Sequence, residues 1–390
     1  MTTKASGLRL AKRLDEVGFS DIVQIRNKVM ALRAAGEKVH MLHGGEPYFE
    51  TPEPIKYAAI QALVENQTHY APSSGIAPLR EALAKKLSEK NNIPTTPDQV
   101  IATVGGSQAL YGAFQSVLDP GDDALVFAPY WTPIADLIRG AQARPLLVPT
   151  STARRNGIAN TLAQFSTPNT RCIYYNTPQN PSGVVFTRAE AEEVAVFAIE
   201  RDLIVVADEA YEDLVYDGTH FSIASLPGMA ERTITCFTFS KTYGMTGWRG
   251  GYAQAPEPFM TALRKIVLYS TNGVTTFVQT AMLQALKTPA FEIAWRLEEY
   301  RKRRELLVTG LNAVGLVCDP PAGAFYAFPN VEKIHKNSRA AAEILLEKAH
   351  IATIPGSVFG AQGEGHLRFG YALPIPEIEA CVAALKDFLG

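Results

Sequence analysis

The chain has 390 residues, of which 47% are hydrophobic and 19% charged, and its formal net charge is −2. This is the balance of an ordinary globular protein, and the length predicts two or three domains, or one large domain with a smaller companion. A nearly neutral chain without an apolar run of about 20 residues gives no reason to expect a nucleic acid or a membrane as its partner.

The first residues, MTTKASGLRLAKRL, are basic and mildly amphipathic, but they lack the continuous apolar core of a secretory signal peptide. A mitochondrial presequence is the minor alternative. The four cysteines stand far apart and form neither a CxxC pair nor a metal-binding spacing: Cys172, Cys236, Cys318 and Cys381. We expect reduced core cysteines, no metal site and a cytoplasmic location.

In chain order, residues from about Ser20 to Gly36 predict a helix that leads into an apolar strand, VHML. Short β-rich runs then alternate with helix-length segments; the runs are QVIATVGG, DALVFAPYW, RCIYYNTPQNPSG, LIVVADEAY, TITCFTFSK and RGGYAQA. From about Pro289 onward, long helices alternate with a few short strands. The densest charge run, RLEEYRKRRE, is typical of a solvated helix face.

Near-continuous apolar strands separated by helices predict an α/β fold, with a mostly parallel central sheet between helices. We predict a large domain over residues 46–288 and a smaller α/β domain made from both termini, residues 1–45 and 289–390. Ligands of open α/β sheets bind at the carboxyl ends of the strands. The site is therefore expected to combine residues that are distant in sequence.

The first candidate element follows the strand that ends at Val104. Two glycines turn the chain there, and Ser107 is predicted to begin an amphipathic helix. Free N–H groups and the helix dipole suit an anion such as phosphate. A glycine turn with a serine cap is the common structural alternative.

Two further strands end in polar residues. In NTPQNPSG, Asn180 precedes a proline, which holds it extended in an irregular loop. In IVVADEAYEDL, Asp208 follows an apolar strand directly, and Tyr211 lies one predicted helical turn further on. The alternatives are a plain turn for the first segment and a helix cap for the second.

The stretch FTFSKTYGMTGWRGGY indicates that these segments bind one ligand together. Lys241 ends a buried strand, where its pKa is lowered and its amine can form a Schiff base with a carbonyl cofactor. Pyridoxal 5'-phosphate (PLP) needs such a lysine, an anion cradle, a carboxylate for its pyridine nitrogen and a donor for its phenolate oxygen. The sequence offers these as Lys241, Gly106–Gln108 with Arg249, Asp208, and Asn180 with Tyr211.

Together these motifs resemble the class I/II, fold type I PLP-dependent aminotransferases, especially the bacterial-type aspartate and kynurenine aminotransferase branches. The resemblance covers nearly the whole chain, through LHGGEPYFETP, HYAPSSGIAPLREALA, GGSQAL, APYW, NTPQNPSG, DEAYEDL, SKTYGMTGWRGGY, PPAGAFYAFP and GEGHLRFGYA. It implies fold type I architecture.

The resemblance also implies roles for individual residues. Lys241 is the Schiff-base lysine and the base that moves the α-proton, and Asp208 pairs with the pyridine nitrogen. Tyr211 and Asn180 bond the phenolate oxygen. The remaining cofactor contacts are implied for Gly106, Ser107, Gln108, Trp131, Thr238 and Arg249, with Trp131 stacking on the ring and the others holding the phosphate.

Substrate contacts are implied for Gly45, Trp131, Asn180 and Arg368. Arg368 corresponds to the arginine that grips the α-carboxylate with two parallel bonds. Gly45 corresponds to the glycine that lets the substrate approach the N-terminal segment. Tyr70 resembles the tyrosine that reaches the phosphate of the neighbouring subunit, which implies a homodimer with shared active sites.

Several departures from the family bear on specificity. Ser107 stands where bacterial-type aspartate aminotransferases often have a lysine that binds the second carboxylate. Ile22 stands at about the position of a threonine in those enzymes, and Tyr48 replaces the usual aspartate of EPDF. The stretch IVLYSTNG lacks the arginine that animal-type enzymes can have there. A neutral, aromatic or larger polar donor is therefore favoured over a dicarboxylate, with Arg26 as an alternative source of charge.

The predicted activity is transfer of the amino group of an L-amino acid to a 2-oxo acid by a ping-pong mechanism. A PLP-dependent lyase or amine-oxidising enzyme is the alternative, because one scaffold supports several reactions. A PLP-sensing regulator would need an appended DNA-binding module, for which this chain has neither room nor a basic patch.

Overall fold

The computed structural model describes residues 11–18 and 21–390, without the side chains of residues 21–24. The expectations on the N-terminal segment therefore fall largely outside the described residues, as does the Ile22 side chain. The predicted first helix is α1 (Asp21–Ala34), and it leads into strand β1 (His40–Met41). No helix in the described part of the chain is long and apolar enough to cross a membrane.

The central sheet has seven strands, in the order β2-β8-β7-β6-β5-β3-β4. They are β2 (Val100–Val104), β3 (Asp123–Ala128), β4 (Arg144–Pro149), β5 (Thr170–Asn176), β6 (Ile204–Asp208), β7 (Thr233–Thr238) and β8 (Gly250–Gln254). Strand β8 is antiparallel to both of its neighbours, and the other pairings are parallel. The predicted mostly parallel sheet is confirmed.

Helices cover both faces of this sheet. They are α2 (Glu53–Val64), α3 (Ala77–Lys90), α4 (Gly105–Val117), α5 (Pro133–Gly140), α6 (Thr150–Asn156), α7 (Ile158–Phe165), α8 (Arg188–Glu200), α9 (Phe259–Thr271) and α10 (Thr276–Ala285). Successive side chains of a strand point to opposite faces of the sheet, so they belong to different apolar cores. Tyr174 belongs to the core with α4 and α5, whereas Tyr175 belongs to the core with α7 and α8.

The C-terminal part forms a further apolar core around a small antiparallel sheet, β11-β12-β9. Its elements are α11 (Ala290–Ala313), β9 (Tyr326–Ala327), α12 (Ser338–Ala349), β10 (Ile351–Ala352), β11 (Ile354–Pro355), β12 (Leu367–Gly370) and α13 (Ile375–Leu389). Strand β1 pairs with β10 in parallel, which joins the N-terminal segment to this part.

The charge run in α11 differs from the prediction of a solvated face. Arg296, Arg303 and Arg304 are each less than 10% exposed. Arg303 donates through Nε to the carbonyl oxygen of Leu373 at 2.8 Å, and Arg304 pairs with Asp217. The pattern of charges along a helix did not reveal these partners, because they come from distant loops.

Candidate active site

A cavity of about 620 Å³ opens where strands β5, β6 and β7 end. All of the predicted site residues except two line it: Gly45, Gly106, Ser107, Trp131, Asn180, Asp208, Tyr211, Thr238, Lys241, Arg249 and Arg368. Parallel strands bring their carboxyl ends to one edge of a sheet, which explains why distant segments meet here. The exceptions are Gln108 and Tyr70.

Lys241 lies three residues beyond the end of β7, in a turn rather than in the strand itself. Its Nζ donates a hydrogen bond of 2.7 Å to the carbonyl oxygen of Gly45. Burial lowers the pKa of Lys241 to about 8, and repulsion from Arg368 and Arg249 acts in the same direction. More of this amine is thus uncharged near neutral pH than in an exposed lysine, and the uncharged form is available as a nucleophile or base.

Asp208 is the last residue of β6 and is 6% exposed. Its Oδ2 accepts a hydrogen bond of 2.7 Å from the Tyr174 hydroxyl, and its Oδ1 accepts one of 3.1 Å from the N–H of Ala210. Burial raises the pKa of Asp208 to about 6 against these hydrogen bonds. The helix expected after Asp208 is absent, since residues 210–213 form turns. Asp208 therefore caps no helix, and its carboxylate lines the cavity.

Tyr211 is buried, and its hydroxyl lies 2.8 Å from that of Tyr326. Burial raises the pKa of Tyr211 well above its ordinary value, so the phenol keeps its proton at physiological pH. The Tyr326 hydroxyl in turn is 3.1 Å from the position that a Cβ would take at Gly45. Strand β9 therefore closes the cavity beside the N-terminal segment.

Arg368, on β12, is 3% exposed. It donates through Nη1 to Asn180 Oδ1 at 3.1 Å and through Nη2 to the carbonyl oxygen of His43 at 3.0 Å. Its Nε has no hydrogen-bond partner, and no carboxylate within the described residues forms an ion pair with it. A buried guanidinium held only by neutral groups is suited to bind an anion from the cavity.

A second region with the features of an anion site lies at the start of α4. The helix begins at Gly105, two residues earlier than predicted, so Ser107 is its third residue and not its cap. Arg249 lines the same region and donates to the carbonyl oxygen of Thr246 at 2.9 Å. Free N–H groups of the first helical turn together with a guanidinium fit a phosphate.

Two glycines make this arrangement possible. Gly105 has a φ of +72°, and a Cβ there would collide with the Arg249 guanidinium. A Cβ at Gly251 would lie 2.5 Å from the carbonyl carbon of Gly105 and 2.6 Å from the nitrogen of Gly106. The start of α4 therefore requires glycine at position 105, beside Arg249, and glycine at position 251, where β8 packs on the helix.

The two exceptions occupy other places. The Gln108 side chain accepts from the N–H of Val104 at 2.6 Å and donates to the hydroxyls of Ser270 and Thr271, each at 2.9 Å. It thereby joins α4 to α9 and is not part of the cavity wall. Tyr70 is 93% exposed and lines a separate surface depression.

The positions expected to govern specificity differ in whether they line the cavity. Ser107 lines the cavity, whereas Tyr48 does not: it packs against Phe49 and lies 4.4 Å from the Arg303 guanidinium. Arg26 is exposed and is not among the lining residues. The cations that line the cavity in the described part of the chain are Lys241, Arg249 and Arg368.

Several lining residues were not predicted: Glu46, Leu110, Asn176, Ala210, Ser240, Thr246, Gly247 and Tyr326. Most of them flank the motifs already identified, so proximity in sequence was a usable signal. Tyr326 lies within PPAGAFYAFP, but no sequence pattern indicated its contact with Tyr211, which joins segments 115 residues apart.

A buried polar cluster lies close to Asp208 in the chain, and its members are not among the residues that line the cavity. Glu209 accepts a hydrogen bond of 2.6 Å from Ser222 and lies 2.8 Å from His220. Glu212 forms an ion pair of 2.6 Å with Lys86. Glu209, Glu212 and His220 are close enough to hold a cation. The ammonium of Lys86 already provides positive charge beside Glu212.

The fold and the cavity together define an enzyme class. Residues 37–385 match the family model described as aminotransferase class I and II. The chain belongs to this family, and it is an enzyme that transfers amino groups between amino acids and 2-oxo acids. Members of this family generally depend on PLP. Nothing in the comparisons favours the lyase alternative.

Individual relatives agree with this assignment. The chain is 40% identical over 370 residues to a probable aspartate/prephenate aminotransferase of Thermus aquaticus, covering 93% of this chain and 94% of the relative. It is 37% identical to aromatic-amino-acid aminotransferase 2 of Thermococcus litoralis, covering 98% of both chains.

Solved structures show the same fold. The aspartate aminotransferase of Thermus thermophilus with maleate has a TM-score of 0.92 and 38% identity, covering 98% of this chain and 99% of that one. The aromatic aminotransferase of Pyrococcus horikoshii OT3 has a TM-score of 0.87 and 37% identity, covering 93% and 98% respectively. The chain therefore has the fold type I architecture of these aminotransferases.

Proposed function

We propose that this aminotransferase uses PLP, bound in the cavity, and that it works by a ping-pong mechanism. One observation carries the proposal: a single cavity combines an amine of lowered pKa, a buried carboxylate and a buried guanidinium without an acidic partner. When bound, PLP supplies a ring that accepts the electron pair left at the substrate Cα. The glycine-lined start of α4 fits its phosphate.

Several lining residues have a role in this proposal. Lys241 attaches the cofactor and later moves the proton from the substrate Cα. Asp208 keeps a proton on the ring nitrogen. Tyr211 donates to the phenolate oxygen, as does the Nδ2 group of Asn180, whose Oδ1 is occupied by Arg368. Trp131 is proposed to stack on the ring.

The phosphate is proposed to bind the start of α4 and the hydroxyl at the end of β7. The residues are Gly106, Ser107, Gln108 through its N–H, Thr238 and Arg249, together with Tyr70 of a second subunit. Thr238 Oγ1 lies 2.8 Å from Ser240 Oγ, so the two hydroxyls form one polar surface. Both substrates of a ping-pong reaction carry an α-carboxylate, and Arg368 is proposed to bind it in each half-reaction.

We further propose that the protein is a cytoplasmic homodimer. The four cysteines are buried and unpaired, which suits a reducing compartment. Helix α2 exposes apolar side chains at a helical spacing, with Tyr57 63%, Ile60 53% and Val64 70% exposed. Such a stripe on a surface helix is typical of an interface.

The relatives' printed names refer to aspartate, prephenate and aromatic amino acids. Among these classes we propose that a neutral, aromatic or larger polar donor is preferred. Leu110, Trp131 and Tyr326 provide apolar lining, and beyond the three cations already given roles no other basic residue lines the cavity in the described part of the chain.

A single-half-reaction experiment tests the proposed reaction. Purified holoenzyme is mixed with an excess of one amino acid and no 2-oxo acid, and the product and cofactor are quantified. A transaminase converts one equivalent of cofactor into its amino form and releases one equivalent of 2-oxo acid. Continuous release of ammonia, with the cofactor unchanged, would identify the lyase or oxidising alternative.

A further inference from the structure

Tyr174, on strand β5, contacts the active site from within the protein core. Its side chain is 1% exposed, and its hydroxyl donates a hydrogen bond of 2.7 Å to Asp208 Oδ2. The parallel register of β5 and β6 sets Tyr174 opposite Val206 and Asn176 opposite Asp208. Side chains two residues apart in a strand share one face of the sheet. Tyr174 therefore lies on the same face as Asp208, two residues before the end of β5, and its hydroxyl reaches the carboxylate.

This hydrogen bond fixes one half of the Asp208 carboxylate. Oδ2 is held by Tyr174, and Oδ1 is held by the N–H of Ala210 at 3.1 Å. Each oxygen retains a lone pair for one more donor on the cavity side. A tyrosine hydroxyl buried without a partner would cost free energy, so the carboxylate explains why a polar atom is placed in this core.

The surroundings of Asp208 act on its ionisation in opposite directions. The titratable groups that face it are Tyr174, Glu209, Tyr211, Cys236 and Lys241. Burial raises the pKa of Asp208 to about 6, and the negative charge of Glu209 acts in the same direction. The hydrogen bond from Tyr174 is the largest of the effects that lower this pKa, ahead of the N–H of Ala210 and the charge of Lys241.

We propose that Tyr174 is a positioning residue for transamination, whose hydroxyl orients the Asp208 carboxylate and stabilises its charged form opposite the ring nitrogen of the cofactor. This rests on the proposed function, because it takes Asp208 as the partner of that nitrogen. Tyr174 is not among the residues that line the cavity. It acts through Asp208, and touches neither cofactor nor substrate.

The chain offers a closely matched pair of variants. Tyr174→Phe removes the hydroxyl that binds Asp208 and leaves the buried ring in place. Tyr175→Phe removes the same atom from the next residue, which is 0% exposed and belongs to the core on the other face of the sheet. The Tyr175 hydroxyl has no hydrogen-bond partner among the described residues. The two substitutions therefore differ chiefly in their effect on Asp208.

The decisive measurement is the rate of the amino-acid half-reaction as a function of pH, for wild type and both variants. Removing a donor to the carboxylate raises the pKa of Asp208, so the activity that needs its anion is lost at a higher pH as the solution is acidified. For Tyr174→Phe we expect this acid limb to move upward. Near neutral pH, the rate should fall about tenfold, as expected for a lost hydrogen bond to a charged group. Tyr175→Phe should follow the wild-type profile.

A second readout does not depend on the bound cofactor. In the full-length protein purified without PLP, the infrared band of a protonated carboxyl group that is absent from Asp208→Asn reports the ionisation of Asp208. This band should appear at a higher pH in Tyr174→Phe than in wild type or Tyr175→Phe. Similar melting temperatures of the two variants would exclude a general loss of packing.

The outcomes separate this inference from the proposed function. If Asp208→Ala retains the wild-type half-reaction rate, Asp208 does not serve the ring nitrogen, and the proposed function fails at that point. If Asp208→Ala is impaired while Tyr174→Phe and Tyr175→Phe have the same acid limb and the same infrared titration, only the role of Tyr174 is overturned.

Discussion

Among single residues, Arg368 sets the strongest requirement on what the cavity can bind. Its guanidinium is 3% exposed and is held by the neutral groups of Asn180 and His43. The pKa of His43 is lowered to about 4, chiefly by burial, so this imidazole is uncharged at neutral pH. Burying a cation without a counter-ion is costly, and an α-carboxylate removes that cost. Every amino acid has this group, so Arg368 cannot discriminate among donors.

Discrimination depends on the residues that face the donor side chain, and we expect aspartate to be a poor donor. Ser107 can offer one neutral hydrogen bond, worth roughly 1 kcal/mol, which is too little to offset a buried second carboxylate. The kcat/KM of aspartate should be about tenfold or more below that of the best donor. Steady-state assays across the proteinogenic amino acids measure this ratio.

A matched variant sharpens the test. Ser107→Lys places a cation at the cavity wall and should raise kcat/KM for aspartate selectively, leaving neutral donors unchanged or poorer. Wild-type enzyme that ranks aspartate or glutamate first would refute the preference. Arg26, or a residue of a second subunit, would then be the source of the missing charge.

At the scale of elements, the approach of α4 to β8 is expected to determine the affinity for the phosphate group. Gly251→Ala introduces a Cβ 2.5 Å from the carbonyl carbon of Gly105. This clash is with the backbone, so it can be relieved only if the start of α4 moves. We expect the dissociation constant of the cofactor to increase at least about tenfold, with a lower melting temperature of the holoenzyme. Fluorescence titration of the cofactor-free protein measures the affinity.

Gly140→Ala is a suitable control for that variant. Gly140 ends helix α5, and a Cβ there would meet no heavy atom of the described residues within 4 Å. This control should bind the cofactor as wild type does. Equal affinity of Gly251→Ala and wild type would mean that the start of α4 does not hold the phosphate.

The sequence was informative for elements whose signals are local. Apolar strands that end in Asn176, Asp208 and Thr238 were recognisable, and the parallel arrangement places them at one edge. The start of α4 was predicted two residues late, because the glycines that weaken helix propensity are tolerated there by close packing on β8. The helix predicted after Asp208 is replaced by turns.

Sequence patterns did not predict the contacts between distant segments. Tyr174 reads as an ordinary apolar strand residue, and its bond to Asp208 depends on the register of β5 and β6. Tyr326 meets Tyr211 only through the packing of β9 against the loop after β6. In α11, the contacts of Arg303 with Leu373 and of Arg304 with Asp217 likewise join segments that periodicity cannot relate.

At the scale of the molecule, we propose a large domain over residues 46–288 and a small domain from residues 1–45 and 289–390. Separate apolar cores around the seven-stranded sheet and around β9, β11 and β12 support this division. The C-terminal core also includes Tyr211, Leu214 and Tyr216, which follow β6. The proposed boundary therefore passes directly beside the cavity.

The proposed dimer with shared sites makes a quantitative prediction. If Tyr70 serves the neighbouring subunit, then mixing Tyr70→Phe and Lys241→Ala chains should regenerate one intact site in each mixed dimer. After subunit exchange of equal amounts, the activity should approach about a quarter of wild type, provided each variant alone is weak. Sedimentation equilibrium verifies that the chains are dimeric.

A mixture that regains no activity would contradict a shared site at Tyr70. Were Tyr70 to act within its own chain, the mixed dimers would contain no intact site. The mixture would then show no more than the average of its two components. A monomeric protein with full activity would exclude shared sites altogether.

The proposed chemistry depends first on attachment of the cofactor to Lys241 in this cavity. The most direct measurement is borohydride reduction of the holoenzyme, followed by proteolysis and mass spectrometry of the labelled peptide. We predict one cofactor per chain, linked to Lys241 Nζ. Lys241→Ala should lack both label and turnover, while Lys265→Ala, an exposed lysine of α9, retains both. Cofactor mapped to any other lysine, or turnover in Lys241→Ala, would contradict the account.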